Sequence, residues 1–131
     1  MRRLRKGCNR SGGQALVEFA LLIPVLIIIV MGIIEFGRLW MTMVTLSGAA
    51  REGVRVAAVT APDQALVEAA VDRVLDAADI SGATITISGP SAENEVTVSV
   101  EITYTVITGS LVPGLSGSMQ LARSAVMRWE G

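Results

Sequence analysis

The sequence predicts an α+β chain. A long N-terminal helix, membrane-spanning in its first half and a stalk in its second, precedes a small domain of one helix on a three-stranded antiparallel sheet. Three observations predict it. Residues 19–34 read FALLIPVLIIIVMGII, sixteen positions without a charge. Leu39, Met43, Leu46, Ala50, Gly53 and Ala57 then recur at helical spacings of three and four with no proline from Glu35 to Val59. Finally, Val96, Val98, Val100, Ile102, Tyr104 and Val106 alternate with Glu95, Thr97, Ser99, Glu101, Thr103 and Thr105, the signature of a strand with one buried and one wet face.

The first element follows from composition. The chain has 131 residues, 51% hydrophobic and 18% charged, with five aromatics, Phe19, Phe36, Trp40, Tyr104 and Trp129. The apolar excess is therefore aliphatic, and most of it lies in one run. From Ala15 to Ile34 a helix would cover about 30 Å, the thickness of a bilayer core. Residues 1–13 carry five cations and no acid, whereas residues 14–131 carry six cations against twelve acids. A basic head suits a nucleic-acid arm or a cytoplasmic flank. The apolar run directly behind it favours the flank, which sets nucleic acid aside. The expected topology is a single pass with the N-terminus in the cytoplasm and the C-terminal domain outside. A cleaved secretory signal fits poorly, because Glu35-Phe36-Gly37-Arg38 follows the run where a small-x-small site would be needed. Cys8 lies within the basic head with no apolar run before it, unlike a lipoprotein cysteine.

The helix has no evident stop at the membrane edge. Continued to Val59 from Ala15, it would be roughly 67 Å long. Pro24 removes one backbone donor from its first half. Thr60-Ala61-Pro62-Asp63 reads as the start of a second helix with Thr60 as its cap. Its apolar face runs through Leu66, Val67, Ala70, Val71, Val74, Leu75 and Ala78 to about Asp79, and Gly82 is the expected stop. Residues 83–88 alternate as a first strand, residues 89–94 form a turn, residues 95–106 form the second strand, and residues 109–118 form a Gly/Pro/Ser-rich loop. Residues 119–129 form a third strand whose alternation is ambiguous around Arg123. The expected divisions are a leader at 1–13, a transmembrane helix and amphipathic stalk at 14–59, and an exported domain at 60–131. That domain has few aromatics and about 70 residues, a marginal size for independent stability, so packing against the stalk at Ala49 to Ala58 is expected.

Chemistry is limited by what is missing. There is no histidine, Cys8 is the only cysteine and Lys6 the only lysine. Histidine- or cysteine-based zinc sites, Ser-His-Asp and Cys-His catalysis and Schiff-base chemistry are thus out of reach beyond residue 8. A lone cysteine also excludes an intrachain disulfide. Glu68, Asp72, Asp76 and Asp79 stripe the second helix, but calcium wants six to eight oxygens from a curved loop, and a straight stripe reads as a wet helix face. No enzyme, metal or cofactor is expected.

Just before the apolar run stands Gly12-Gly13-Gln14-Ala15-Leu16-Val17-Glu18-Phe19. A basic leader, a glycine and a hydrophobic helix with one acid five residues on resemble a type IV prepilin signal. Cleavage after Gly13 would make Gln14 the new N-terminus and put Glu18 at the fifth mature position; cleavage after Gly12 would put it at the sixth. A carboxylate within a span costs roughly 2.5–3.5 kcal/mol even on mild scales. The resemblance implies that Glu18 pairs with the freed amine of a neighbouring subunit, which would neutralise both charges; snorkelling of Glu18 to the interface is the alternative. The resemblance continues through Glu35-Phe36-Gly37-Arg38-Leu39-Trp40 and residues 46–58, LSGAAREGVRVAA, which are similar to the TadE-like family, as are Leu111-Val112-Pro113-Gly114-Leu115 and the Arg128-Trp129-Glu130 ending. That family implies a pilin-like fold and a pseudopilin or minor pilin of the tight-adherence (Flp) type IVb pilus, in the bacterial cytoplasmic membrane or on the cell surface. The implied partners are the lipid bilayer, a prepilin peptidase, other pilins and the assembly apparatus, in an oligomer or filament. Gly13 and Gln14 would be processing residues, and Glu18 and Phe19 assembly residues.

Other positions carry two readings each. Arg51 and Arg55, four apart on one helix face, are candidate partner contacts, or a solvated face paired to Glu52, Asp72 or Asp76. Leu111, Val112 and Leu115 are candidate docking residues, or a lid tucked over the core. Glu35 and Arg38 read as an interfacial pair beside Trp40, which suits an aromatic belt. The competing class is an uncleaved single-span protein whose exported domain binds a partner or ligand.

Overall fold

The computed structural model describes residues 11–60, 63–107 and 117–129, with side chains from Gly13 onward. Five elements follow in order: α1 (Ser11–Val59), α2 (Gln64–Asp76), β1 (Thr84–Ser88), β2 (Glu95–Thr105) and β3 (Ser118–Arg128). The expected α+β class is the observed one. The chain divides into two compact units, Met1–Ile34 and Glu35–Gly131, so the second half of α1 belongs with the α2 and sheet unit.

In the first unit α1 carries Pro24 inside the helix. Its apolar side chains are open on every side: Leu16, Leu21 and Ile33 are each two-thirds or more exposed, and Phe19 nearly so. Water would penalise that much aliphatic surface at about 25 cal/mol per Å², whereas hydrocarbon would not. The helix is long and apolar enough to cross a membrane, and none of its most apolar stretch is covered by the rest of the chain.

In the second unit a three-stranded antiparallel sheet has the order β1-β2-β3. β1 pairs with the middle of β2, from Thr84 opposite Glu101 to Ser88 opposite Thr97. β3 pairs along the whole of β2, from Glu95 opposite Arg128 to Thr105 opposite Ser118. The alternation read in β2 is the one observed: Val96, Val98, Val100, Ile102 and Tyr104 are buried and the intervening residues are not. They meet Leu46, Ala49, Ala50, Val54 and Ala57 of α1, Val67, Val71 and Leu75 of α2, and Leu121 of β3. The stalk packing expected at Ala49 to Ala58 is therefore present, and the face of α1 that supplies it is almost all small. Gly53 shows why. A Cβ there would stand 2.7 Å from Val71 Cγ2 and 3.1 Å from Val98 Cγ1, so α1 touches α2 and β2 at one point with no room for a side chain.

Both ends of α2 differ from the sequence expectation. Thr60 closes α1 rather than opening α2: its backbone N–H and its hydroxyl both donate to the Val56 carbonyl, at 3.0 and 2.8 Å. The N-cap is Asp63, whose backbone is extended and whose Oδ1 accepts from Ala65 N at 3.0 Å. At the other end the helix stops at Asp76, not Asp79. The Ile80 N–H reaches back to the Leu75 carbonyl at 3.0 Å, and Asp79 adopts the left-handed conformation with φ 55°. This is a Schellman-type end in which aspartate, one of the few residues that tolerate φ > 0, takes the place expected of Gly82. The half-buried Ile80 packs on the core behind it. The β1–β2 turn does need a glycine: Gly89 has φ 118°, and a Cβ would fall 2.5 Å from the Glu95 carbonyl oxygen.

The third strand explains its own ambiguous pattern. On its inward face Leu121 is buried and Ala125 half-buried, but Met119, Arg123 and Met127 are exposed. β3 is an edge strand, and at Arg123 its inner face opens on a groove instead of a covering helix. The 109–118 loop expected before it lies outside the described residues except for Gly117 and Ser118.

The contrast between two α1 glycines provides a test. Gly53→Val should destabilise the second unit by about 1–3 kcal/mol through overpacking. Gly48→Ala, where a Cβ meets nothing within 4 Å, should be neutral or add up to about 1 kcal/mol of helix stability. Urea unfolding of the full chain in detergent, followed by the β-sheet circular dichroism signal, measures both.

Candidate functional site

The N-terminal motif sits on the first turns of α1. Gly13 is exposed, with open space where a Cβ would project. Gln14, Glu18 and Phe19 are also exposed. Gln14 and Glu18 lie one turn apart, and Gln14 Nε2 donates to Glu18 Oε1 at 3.3 Å. Helical geometry thus brings the residue that would follow a cut at Gly13 onto the same face as the acid. The glycine and the carboxylate stand at the start of the apolar surface, which then runs unbroken to Ile34.

Just past that surface, the second unit begins with a polar knot. Glu35 Oε1 accepts a 2.6 Å hydrogen bond from the Tyr104 hydroxyl and a 3.4 Å contact from Arg38 Nη1. The Arg38 guanidinium also lies 5.6 Å from the centre of the Tyr104 ring, within reach of a cation–π interaction. Glu35 and Arg38 do pair, as their spacing suggested. Their third member, 69 positions away, was not legible. The available signal was that Tyr104 is the only phenol on the buried face of β2, and a buried phenol seeks an acceptor. Burial, followed by the hydrogen bond to Glu35, raises the Tyr104 pKa above its ordinary value. On α1 nearby, Phe36 and Trp40 stack with ring centres 6.4 Å apart and stay largely exposed, an aromatic pair suited to a headgroup zone.

The two stalk arginines separate. Arg55 turns to Glu52, with Nη2 to Oε1 at 2.7 Å and Nε to Oε2 at 3.0 Å. That bidentate bond holds the Glu52 carboxyl below its ordinary range. Its partner is thus the acid on its own helix, not Asp72 or Asp76. Arg51 pairs with none of the described residues. It lines a groove with Trp40, Met43, Val44, Ser47, Gly48 and Arg123. Arg123, the residue that blurred the β3 pattern, was not among the candidates. Leu111, Val112 and Leu115 fall outside the described residues.

Helix α1 from Gly13 through the stalk is the stretch in which glycine, carboxylate, apolar run and small-residue face occur together. Residues 13–55 match the family of TadE-like proteins. That match spans about a third of the chain. It covers Gly13, Glu18, Glu35, Arg38 and Arg51 and stops short of α2 and the sheet. No curated protein and no solved structure matches the chain.

The Tyr104 hydroxyl gives a clean readout of the knot, since the chain has one tyrosine. Its phenolate absorbance should develop above the ordinary phenol value of 10.0, and Glu35→Gln should bring the midpoint back down. The raised folded value means that the neutral phenol is favoured by folding. This contribution is therefore fully present below pH 10 and lost as pH rises through the folded pKa. Tyr104→Phe should remove that part of the alkaline destabilisation, read as the pH dependence of the urea midpoint.

Proposed function

We propose that this chain is a pseudopilin or minor pilin that acts in assembly of a tight-adherence type IVb pilus after removal of residues 1–13 by a prepilin peptidase. The observation that carries the reading is the coincidence of the TadE-like match with an exposed Gly13, a Glu18 one helical turn behind Gln14, and an exposed aliphatic helix beyond them. In this reading the protein stands in the cytoplasmic membrane with its N-terminus inside, residues 14–59 form the span and stalk, and residues 60–131 form the exported domain.

The physical logic is one of charge removal. The leader holds five cations at the cytoplasmic face, where anionic lipid and the positive-inside rule retain it. Cleavage discards them and exposes an α-amino group on Gln14. The Glu18 carboxylate, costly in hydrocarbon when alone, then gains a counter-charge from the amine of a neighbouring subunit. Phe19 and the aliphatic residues behind it supply the packing surface between helices. Exposed Gly13 offers an unobstructed backbone to the peptidase, and a side chain at that position would obstruct the cut.

Mass spectrometry of the protein from membranes containing an active prepilin peptidase should find an N-terminal peptide beginning at Gln14. Gly13→Leu should leave the leader attached. Glu18→Ala should permit cleavage but lower incorporation into the surface pilus by an order of magnitude or more. An N-terminus at Met1 in those membranes would instead support an uncleaved single-span protein with an exported partner- or ligand-binding domain.

A further inference from the structure

The groove beside the stalk is a cavity of about 430 Å³. Trp40, Met43 and Val44 line one end, Gly48 leaves its floor open, and Arg51 and Arg123 converge on it from α1 and β3. The two arginines are exposed, and neither has an acid partner among the described residues. Two like charges brought to one groove by separate elements call for a counter-charge.

The chain carries one on another face. Asp72 and Asp76 stand one turn apart on α2, both exposed and neither paired to a described cation. Ala65 and Ala69 share that face and are exposed as well, so a surface can approach it closely. Heights also agree. Gly53 packs against Val67 and Val71, while Met41, Thr42 and Thr45 lie near Ala77, Ala78, Asp79 and Ile80. Within the second unit α1 and α2 are therefore antiparallel, and at 1.5 Å per residue Arg51 lies at about the level of Asp72. On the single-span reading proposed above, on which this step rests, copies inserted in one membrane stand side by side with the same orientation, and the arginine groove of one comes level with the aspartates of the next.

We infer that the Arg51–Arg123 groove receives the Asp72–Asp76 face of α2 from a second copy of this chain, in a lateral head-to-tail contact. The contact uses different surfaces on the two partners, so it is heterologous and adds copies in a row. It involves none of Gly13, Gln14, Glu18 or Phe19 and does not depend on processing.

The test co-expresses two differently tagged full-length chains in one membrane, captures one tag after mild solubilisation and quantifies the other. Parent copies should co-capture. Arg51→Glu with Arg123→Glu, or Asp72→Arg with Asp76→Arg, should each reduce capture of like by like by about tenfold or more. Co-expression of the two double variants should restore it, because an acidic groove then meets a basic face and the native pair forms at the other contact. Arg51→Gln with Arg123→Gln, which removes charge without reversing it, should give a smaller loss. Restoration itself shows that both variants fold. Absence of parent co-capture, undiminished capture by the reversed groove, or failure of the mixed pair to recover would each overturn the contact. Undiminished capture would point instead to an anionic lipid or another protein as the occupant of the groove.

Discussion

The second unit depends on how closely one helix backbone approaches its neighbours. At Gly53 the α1 backbone touches Val71 of α2 and Val98 of β2 at once, and the alanines at 49, 50, 57 and 58 extend that narrow seam along the helix. Close approach brings the whole aliphatic set of β2 and α2 into contact around a single stalk. A helix with larger residues on this face would hold α2 away from the sheet and leave a domain of this size with too little buried surface. The same seam fixes the antiparallel setting of α1 and α2, and through it the level at which every charge on α2 is presented.

Charge is distributed to match. Among the described residues of the second unit, ion pairs form locally, Glu52 with Arg55 and Glu35 with Arg38. The Tyr104 hydroxyl ties Glu35 of the stalk to the sheet. Arg51, Arg123, Asp72 and Asp76 are exposed and form no ion pair among the described residues. The first unit has the opposite character: one carboxylate at the head of an aliphatic helix, with a glutamine from the same turn as its hydrogen-bond donor.

Periodic features were legible in the residues. The unbroken aliphatic run, the three-and-four stripe of the stalk and the strict alternation of β2 each impose a single geometry, so their elements and buried faces followed directly. Details set by backbone competition were not. Thr60 could cap a new helix or finish the old one, and it finished the old one because the Val56 carbonyl was within reach of both its donors. Asp79 accepted the left-handed turn assigned to Gly82 because a left-handed residue directly before Ile80 lets the Ile80 N–H close on the Leu75 carbonyl and its side chain return to the core. The N-terminal motif was readable as sequence. The Tyr104–Glu35 bond and the Arg51–Arg123 groove were not, because each joins residues 69 and 72 positions apart whose types carry no mark of one another.

The core described here is also unusual in what it spends on order. Its fully buried side chains are Val54, Val67, Val71, Val96, Val98 and Val100, with two leucines and a set of alanines. Valine is confined to few χ1 states even in the unfolded chain, and alanine has no rotamer to lose. Folding therefore freezes little side-chain motion for each methyl group buried. A domain with few large aromatic anchors gains part of its stability by entering the folded state already stiff.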